Sequence, residues 1–168
     1  GLFETGAGGS APKHVQQVQE ENHLRWDSLG EYLALTESFF HEEEKNDNAR
    51  AGILGHTLDR AIETFLDEGR SPSRKVNEID DRGSHYWIAR YWAEELASQE
   101  DDTELASGFE TIAKDLAGNE EQILQELLDV QGEPADLGGY YWPDNEKTTK
   151  VMRPSETFNK IVDKTEDD

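Results

Sequence analysis

The chain has 168 residues, with 38 Asp plus Glu against 16 Lys plus Arg, for a formal net charge of −22. The length is enough for one ordinary core, and a surface this acidic repels polyanions and anionic membranes, which argues against nucleic-acid and membrane partners. The absence of cysteine excludes disulfides, thiolate metal sites and cysteine nucleophiles, and fits a reducing compartment.

Residues 1–14 (GLFETGAGGSAPKH) form the only glycine-rich stretch. Leu2-Phe3 reads as the end of an extended segment. Ser10 and Pro12 then read as a helix start, a capping hydroxyl and a proline where no N–H is needed, with a helix over about 12–20. Asp27-Ser28 cap a second helix whose apolar positions are Leu29, Tyr32, Leu33, Thr36, Phe39 and Phe40. A charged break is expected from His41 to Asn48. The next helix carries the stripe Leu54, Leu58, Ala61, Ile62, Phe65 and Leu66, and Gly69 stops it.

Residues 69–84 read as a polar connection punctuated by Pro72 and Gly83, with a short strand possible at 74–79. Ser84 is the expected cap of a helix with Trp87, Ile88, Tyr91, Trp92 and Leu96 on a wide apolar face. That aromatic density implies deep burial or contact with another body. Helical spacing continues through Leu105, Phe109, Ile112, Ala113 and Leu116. Gly118-Asn119 interrupts it, and Ile123, Leu124, Leu127 and Leu128 carry it on towards Gly132. The stretch ADLGGYYWPDNEKTT reads as an ordered loop, followed by a short helix from Ser155 to about Val162 and a frayed end. No apolar run approaches the roughly 20 residues that span a bilayer, so a soluble chain is expected. The fold class is mainly α: about six helices with little or no sheet.

Three features bear on chemistry. Gly6-Ala7-Gly8-Gly9-Ser10-Ala11 satisfies G-x-G-x-x-A, in which glycines let backbone N–H groups approach a phosphate at a helix N-terminus. A tight turn before a helix explains it equally well. It is not a Walker loop, because Pro12 precedes Lys13 and His14 stands where Ser or Thr is required. Second, Arg70, Arg74, Lys75, Arg82 and Arg90 fall within residues 70–90. That is 5 of 16 basic residues in 21 of 168 positions, where an even spread gives about 2. In so acidic a chain the excess points either to a bound anion or to internal pairing with Asp80, Asp81 and the glutamates. Third, Lys13-His14 stand at a first helical turn, where cations suit a neighbouring anion, and Trp26 suits either ring stacking or a core. Sharper motifs fail: His41-Glu42 does not complete H-E-x-x-H because position 45 is Lys, and Asp80-Asp81 lacks a spaced third ligand and reads as a charged loop. His56 and His85 read as structural.

The strings ETGAGGSAPKH, NHLRWDSLGE, SPSRK, EIDDRGSHYW, LGGYYWPD and KVMRPSETFN resemble, in order and spacing, the C-terminal part of the monomeric-type NADP-dependent isocitrate dehydrogenases. The resemblance covers essentially the whole chain and is weakest over 41–56 and 98–133. It implies a segment of a longer chain, which the start at Gly1 also suggests. The segment would be the C-terminal contribution to an α/β cofactor-binding domain, with 1–14 as cofactor loop, 15–132 as helical body and 133–168 as ordered tail. Gly9 and Ser10 would line NADP, His14 would lie at the adenine and 2′-phosphate, and Arg25, Trp26 and Asp27 come from the LRWD string. Arg74, from SPSRK, would clamp the 2′-phosphate together with Arg25. The expected partners are NADP and the remainder of the same polypeptide, which would hold isocitrate and the Mg or Mn ion; no catalytic or metal residue is expected here, and the location would be cytoplasmic. The residues alone leave open an acidic helical interaction module without cofactor.

Overall fold

The computed structural model describes residues 20–132 and 145–163. They form seven helices, with no strand among the described residues: α1 (Leu29–Asn46), α2 (Ala49–Asp67), α3 (Asp81–Ser98), α4 (Thr103–Gly118), α5 (Glu120–Asp129), α6 (Asn145–Met152) and α7 (Glu156–Asp163). The mainly α reading therefore holds, and residues 74–79 form bends and turns where a short strand was possible. The helices belong to two compact units that interleave along the sequence, one from the described parts of 1–27, 71–84 and 120–168, the other from 28–70 and 85–119.

The second unit begins with an α-hairpin. The expected break at His41–Asn48 is confined to its last two residues. Helix α1 runs on through the charged stretch to Asn46, since Glu and Lys on a solvent face continue a helix readily. Asp47 then turns left-handed at φ 52°, and the Asn48 side chain accepts from Ala51 N to cap α2. The two helices cross closely at Gly52 and Gly55. A Cβ at Gly55 would stand 2.8 Å from the Phe40 ring, and one at Gly52 would overlap the Glu43 carboxylate.

The inward face of α2 is Ala51, Leu58, Ala61, Ile62 and Phe65, while Leu66 lies at the edge of the stripe and is 49% exposed. Gly69, at φ 67°, ends the chain's helical course as expected. Tyr32 meets Phe65 and His85 edge to face at centroid distances of 5.9 and 5.6 Å. Trp92 Nε1 donates to Thr57 Oγ1 at 3.0 Å. Buried Tyr86 donates its hydroxyl to the Leu116 carbonyl at 2.6 Å, tying α3 to α4. The aromatic face of α3 is thus largely core.

Helix α3 begins three residues before the expected Ser84 cap. Asp80 is the capping side chain: its Oδ1 accepts from Arg82 N at 3.0 Å and Gly83 N at 3.4 Å. Gly83 lies inside the first turn, where its bare Cα accommodates Ile79. In the first unit, α6 starts at Asn145, so the last residues of the expected loop are helical. Ser155 starts α7 as predicted, with Oγ accepting from Phe158 N at 3.1 Å. Glu126 of α5 reaches the same turn: it accepts from Ser155 Oγ at 2.6 Å and Thr157 Oγ1 at 2.9 Å. Burial alone would raise the Glu126 pKa, but the bonds from Ser155, Thr157 and Gln122 outweigh it and hold the carboxyl below its ordinary value.

Candidate functional site

The LRWD string lies in the first unit on an irregular strip, residues 22–27. It is anchored at Leu24, which is fully buried and packs with Trp26, Val151 and Met152. Both backbone groups of Leu24 are used. Its N–H donates to Asp80 Oδ2 at 3.2 Å, and its carbonyl accepts from Asp81 N at 3.0 Å. Asn22, at φ 49°, turns the chain into the strip.

Arg82 closes the anchor. Its five N–H donors are all engaged: Nε to Asp80 Oδ2 (2.9 Å), Nη2 to Asp80 Oδ2 (2.6 Å) and the Asn22 carbonyl (2.7 Å), Nη1 to Asn22 Oδ1 (2.8 Å) and the Val151 carbonyl (2.7 Å). Asp80 and Asp81, expected in a charged loop, are buried beside it.

The loop 71–80 lies against this strip and is closed on itself by Ser73 N donating to the Ile79 carbonyl at 2.7 Å. Two side chains of the strip, two positions apart, reach its consecutive carbonyls. Arg25 Nε donates to the Arg74 carbonyl at 2.7 Å, and His23 Nε2 lies 2.7 Å from the Ser73 carbonyl. The Arg25 side chain therefore contacts the backbone of Arg74, 49 positions away. Arg25 Nη1 also pairs with Glu21. The Arg74 side chain is exposed and makes no ion pair among the described residues. Trp26 is half-buried against Leu24, and Asp27 is exposed. Gly9, Ser10 and His14 lie outside the described residues.

The basic cluster divides in two. Arg82 is buried with Asp80; Arg70 stacks 3.6 Å from the Trp87 ring centroid and donates to Tyr91 Oη at 3.0 Å; Arg90 pairs with Glu94 at 2.7 Å. Those three cations are internal structure. Arg74 and Lys75 are both exposed, and their side chains make no ion pair among the described residues. His23 and Gln131 are the residues that local reading missed. They are 108 positions apart, and no spacing rule connects them. Among the described residues, no group of three or more His, Asp or Glu side chains is arranged to hold a metal ion.

A family profile for monomeric isocitrate dehydrogenase matches residues 1–163. This chain belongs to that family. It is 61% identical over 163 residues to the NADP isocitrate dehydrogenases of Corynebacterium efficiens and Corynebacterium glutamicum, and 58% identical to NADP isocitrate dehydrogenase 2 of Mycobacterium tuberculosis. Each match covers 97% of this chain and 22% of the relative, so the chain spans about a fifth of the length of these NADP isocitrate dehydrogenases.

Proposed function

We propose that this chain is the C-terminal, NADP-holding part of an isocitrate dehydrogenase, one that oxidatively decarboxylates isocitrate to 2-oxoglutarate and CO2 while reducing NADP. Gly9, Ser10, His14, Arg25, Trp26, Asp27 and Arg74 are the residues that would hold the cofactor. NADP, when bound, supplies the hydride acceptor. Substrate, divalent metal and proton-transfer groups would come from the remainder of the polypeptide, so the chain alone is inactive. Turnover of isocitrate by the pure chain with NADP and Mg or Mn would overturn that.

The observation that supports the reading is the pairing of Arg25 with Arg74. In a chain of net charge −22, two guanidiniums are held on one strip and the loop beside it. Arg25 Nη2 and the Arg74 guanidinium make no hydrogen bond among the described residues, leaving planar donors for an anion. A dianionic 2′-phosphate is the part of NADP that distinguishes it from NAD, and arginine is the side chain suited to grip it.

Calorimetric titration with NADP and NAD in parallel tests this. NADP should bind more tightly, and Arg74→Ala should weaken NADP by roughly 1.5–3 kcal/mol, the worth of a charge-assisted contact, while leaving NAD unchanged. Equal affinity for the two cofactors, or an Arg74→Ala variant that binds NADP as the parent does, would reject the assignment.

A further inference from the structure

Gln131 is 6% exposed and lies two residues past α5, whose Ile123 and Leu127 are buried. Its own N–H donates to the Leu128 carbonyl at 3.1 Å, so the side chain starts from a closed turn on a packed helix. The amide reaches loop 71–80 at two successive residues. Oε1 accepts from the Asn77 backbone N–H at 2.7 Å, and Nε2 donates to the Glu78 carbonyl at 2.7 Å. These partners fix the amide's orientation, since turning it over would set N–H against N–H and oxygen against oxygen. The same Oε1 lies 2.6 Å from His23 Nδ1 on the strip. The next residue adds a second tie: Gly132 N donates to the Glu21 carbonyl at 2.7 Å, and the Glu21 carboxylate pairs with Arg25. Arg25 and Arg74 belong to two separate segments, and Gln131-Gly132 is tied to both. The loop needs outside support at Asn77. Its backbone stands at φ 72°, in the left-handed region that only glycine enters without cost. A residue stays there when its surroundings hold it. Within the loop, Ser73 N donates to the Ile79 carbonyl at 2.7 Å and Glu78 N to the Lys75 carbonyl at 3.3 Å. Neither bond uses the Asn77 N–H, and Gln131 does.

We infer that Gln131 is a positioning residue for recognition of the 2′-phosphate: by holding the left-handed turn at Asn77, it sets the course of the loop that carries Arg74. The inference rests on the NADP reading above. Gln131 acts through the backbone and is not itself a cofactor contact. Its amide fixes the far side of the loop at residues 77 and 78, while Arg25 takes the Arg74 carbonyl on the near side. A phosphate gripped by guanidiniums from two segments binds tightly when both are already in place, because ordering a loose loop on binding costs affinity. NAD lacks that phosphate and draws nothing from the arrangement. The coupling is reciprocal: a ligand that selects the held loop must in turn tighten the clasp.

Amide hydrogen exchange and calorimetry on the chain test this. In the unmodified chain, NADP should slow exchange at the Asn77 amide, and NAD should leave it unchanged. Gln131→Met fills similar space without either hydrogen bond. Its NADP affinity should fall roughly tenfold, its NAD affinity should hold, and its Asn77 amide should exchange faster than the parent's. A merely structural role would lower both affinities together, or the melting temperature alone. Gln131→Glu keeps an acceptor for Asn77 but turns an oxygen on the Glu78 carbonyl, so it should lose the NADP preference too. An Asn77 amide indifferent to NADP, in a chain that prefers NADP to NAD, overturns the inference alone. So does either variant if it folds and keeps that preference. An unmodified chain with no preference for NADP overturns the cofactor reading and the functional half of the inference with it; Asn77 exchange in the unmodified chain and the variants still decides whether Gln131 holds the loop.

Discussion

The guanidinium of Arg82 meets the carboxylate of Asp80 at 2.6 Å where neither side chain is more than 2% exposed. Asp80 does three jobs at once: it caps α3, accepts from Leu24 N and neutralises Arg82. Arg82 in turn holds Asn22 and the end of α6. A buried pair of this kind is weak evidence of net stability, because desolvation offsets the attraction, but removing one partner leaves a buried charge with no counter-ion.

Arg82→Met should therefore cost on the order of 3–5 kcal/mol in a urea titration. Arg82→Lys should recover little of it. An ammonium has three donors on one atom and cannot cover five acceptor contacts spread around a planar fork. A loss below about 1 kcal/mol for Arg82→Met would mean that Asp80 finds water or another cation, and that the strip at 22–24 does not depend on this anchor.

The crossing of α1 and α2 separates two glycines that look alike in sequence. In an isolated helix either would gain about 1 kcal/mol on change to Ala. At Gly52 the added methyl meets the far end of the Glu43 side chain, which can swing away. At Gly55 it meets Phe40 Cε1 at 2.8 Å, Phe40 Cδ1 at 2.9 Å and Phe39 Cβ at 3.1 Å. Overpacking costs about 1–3 kcal/mol. Gly52→Ala should be neutral or raise the melting temperature, and Gly55→Ala should lower it. Two shifts of the same sign would place the close approach elsewhere.

These residues also mark what could be read in advance. Helical periodicity located α2 and α4 because their core positions repeat locally, and Gly69 ends its helix for a backbone reason visible in one residue. The start of α3 was misplaced because Ser84 is as good a cap by type as Asp80; the choice is made by Leu24 and Arg82, which secure Asp80 from the other side. Arg25 and Arg74 came together through a family resemblance, not through spacing. His23 and Gln131 had no local signal at all, since a ring and an amide 108 residues apart reveal their roles only when their partners are in place. The basic cluster at 70–90 is not uniform: internal partners set Arg70, Arg82 and Arg90 apart from the exposed Arg74 and Lys75.

The junction of α5 and α7 gives a prediction in pH. Burial pushes the Glu126 pKa up, yet the donors Ser155, Thr157 and Gln122 prevail and hold it below the ordinary 4.5. A carboxyl whose folded pKa is depressed binds its proton more readily in the unfolded chain. Its stabilisation is therefore complete above 4.5 and is lost as pH falls through the folded value. Glu126→Ala should cost roughly 1–2 kcal/mol at neutral pH, the worth of a cap with charge-assisted bonds. The cost should shrink as the solution is acidified, because the parent then loses the same contacts. Amide exchange at Thr157 and Phe158 reports the junction directly: it should accelerate in Glu126→Ala at neutral pH and in the parent only in acid. Exchange that is indifferent to both would mean that α7 is held by the apolar side of Ile161 alone.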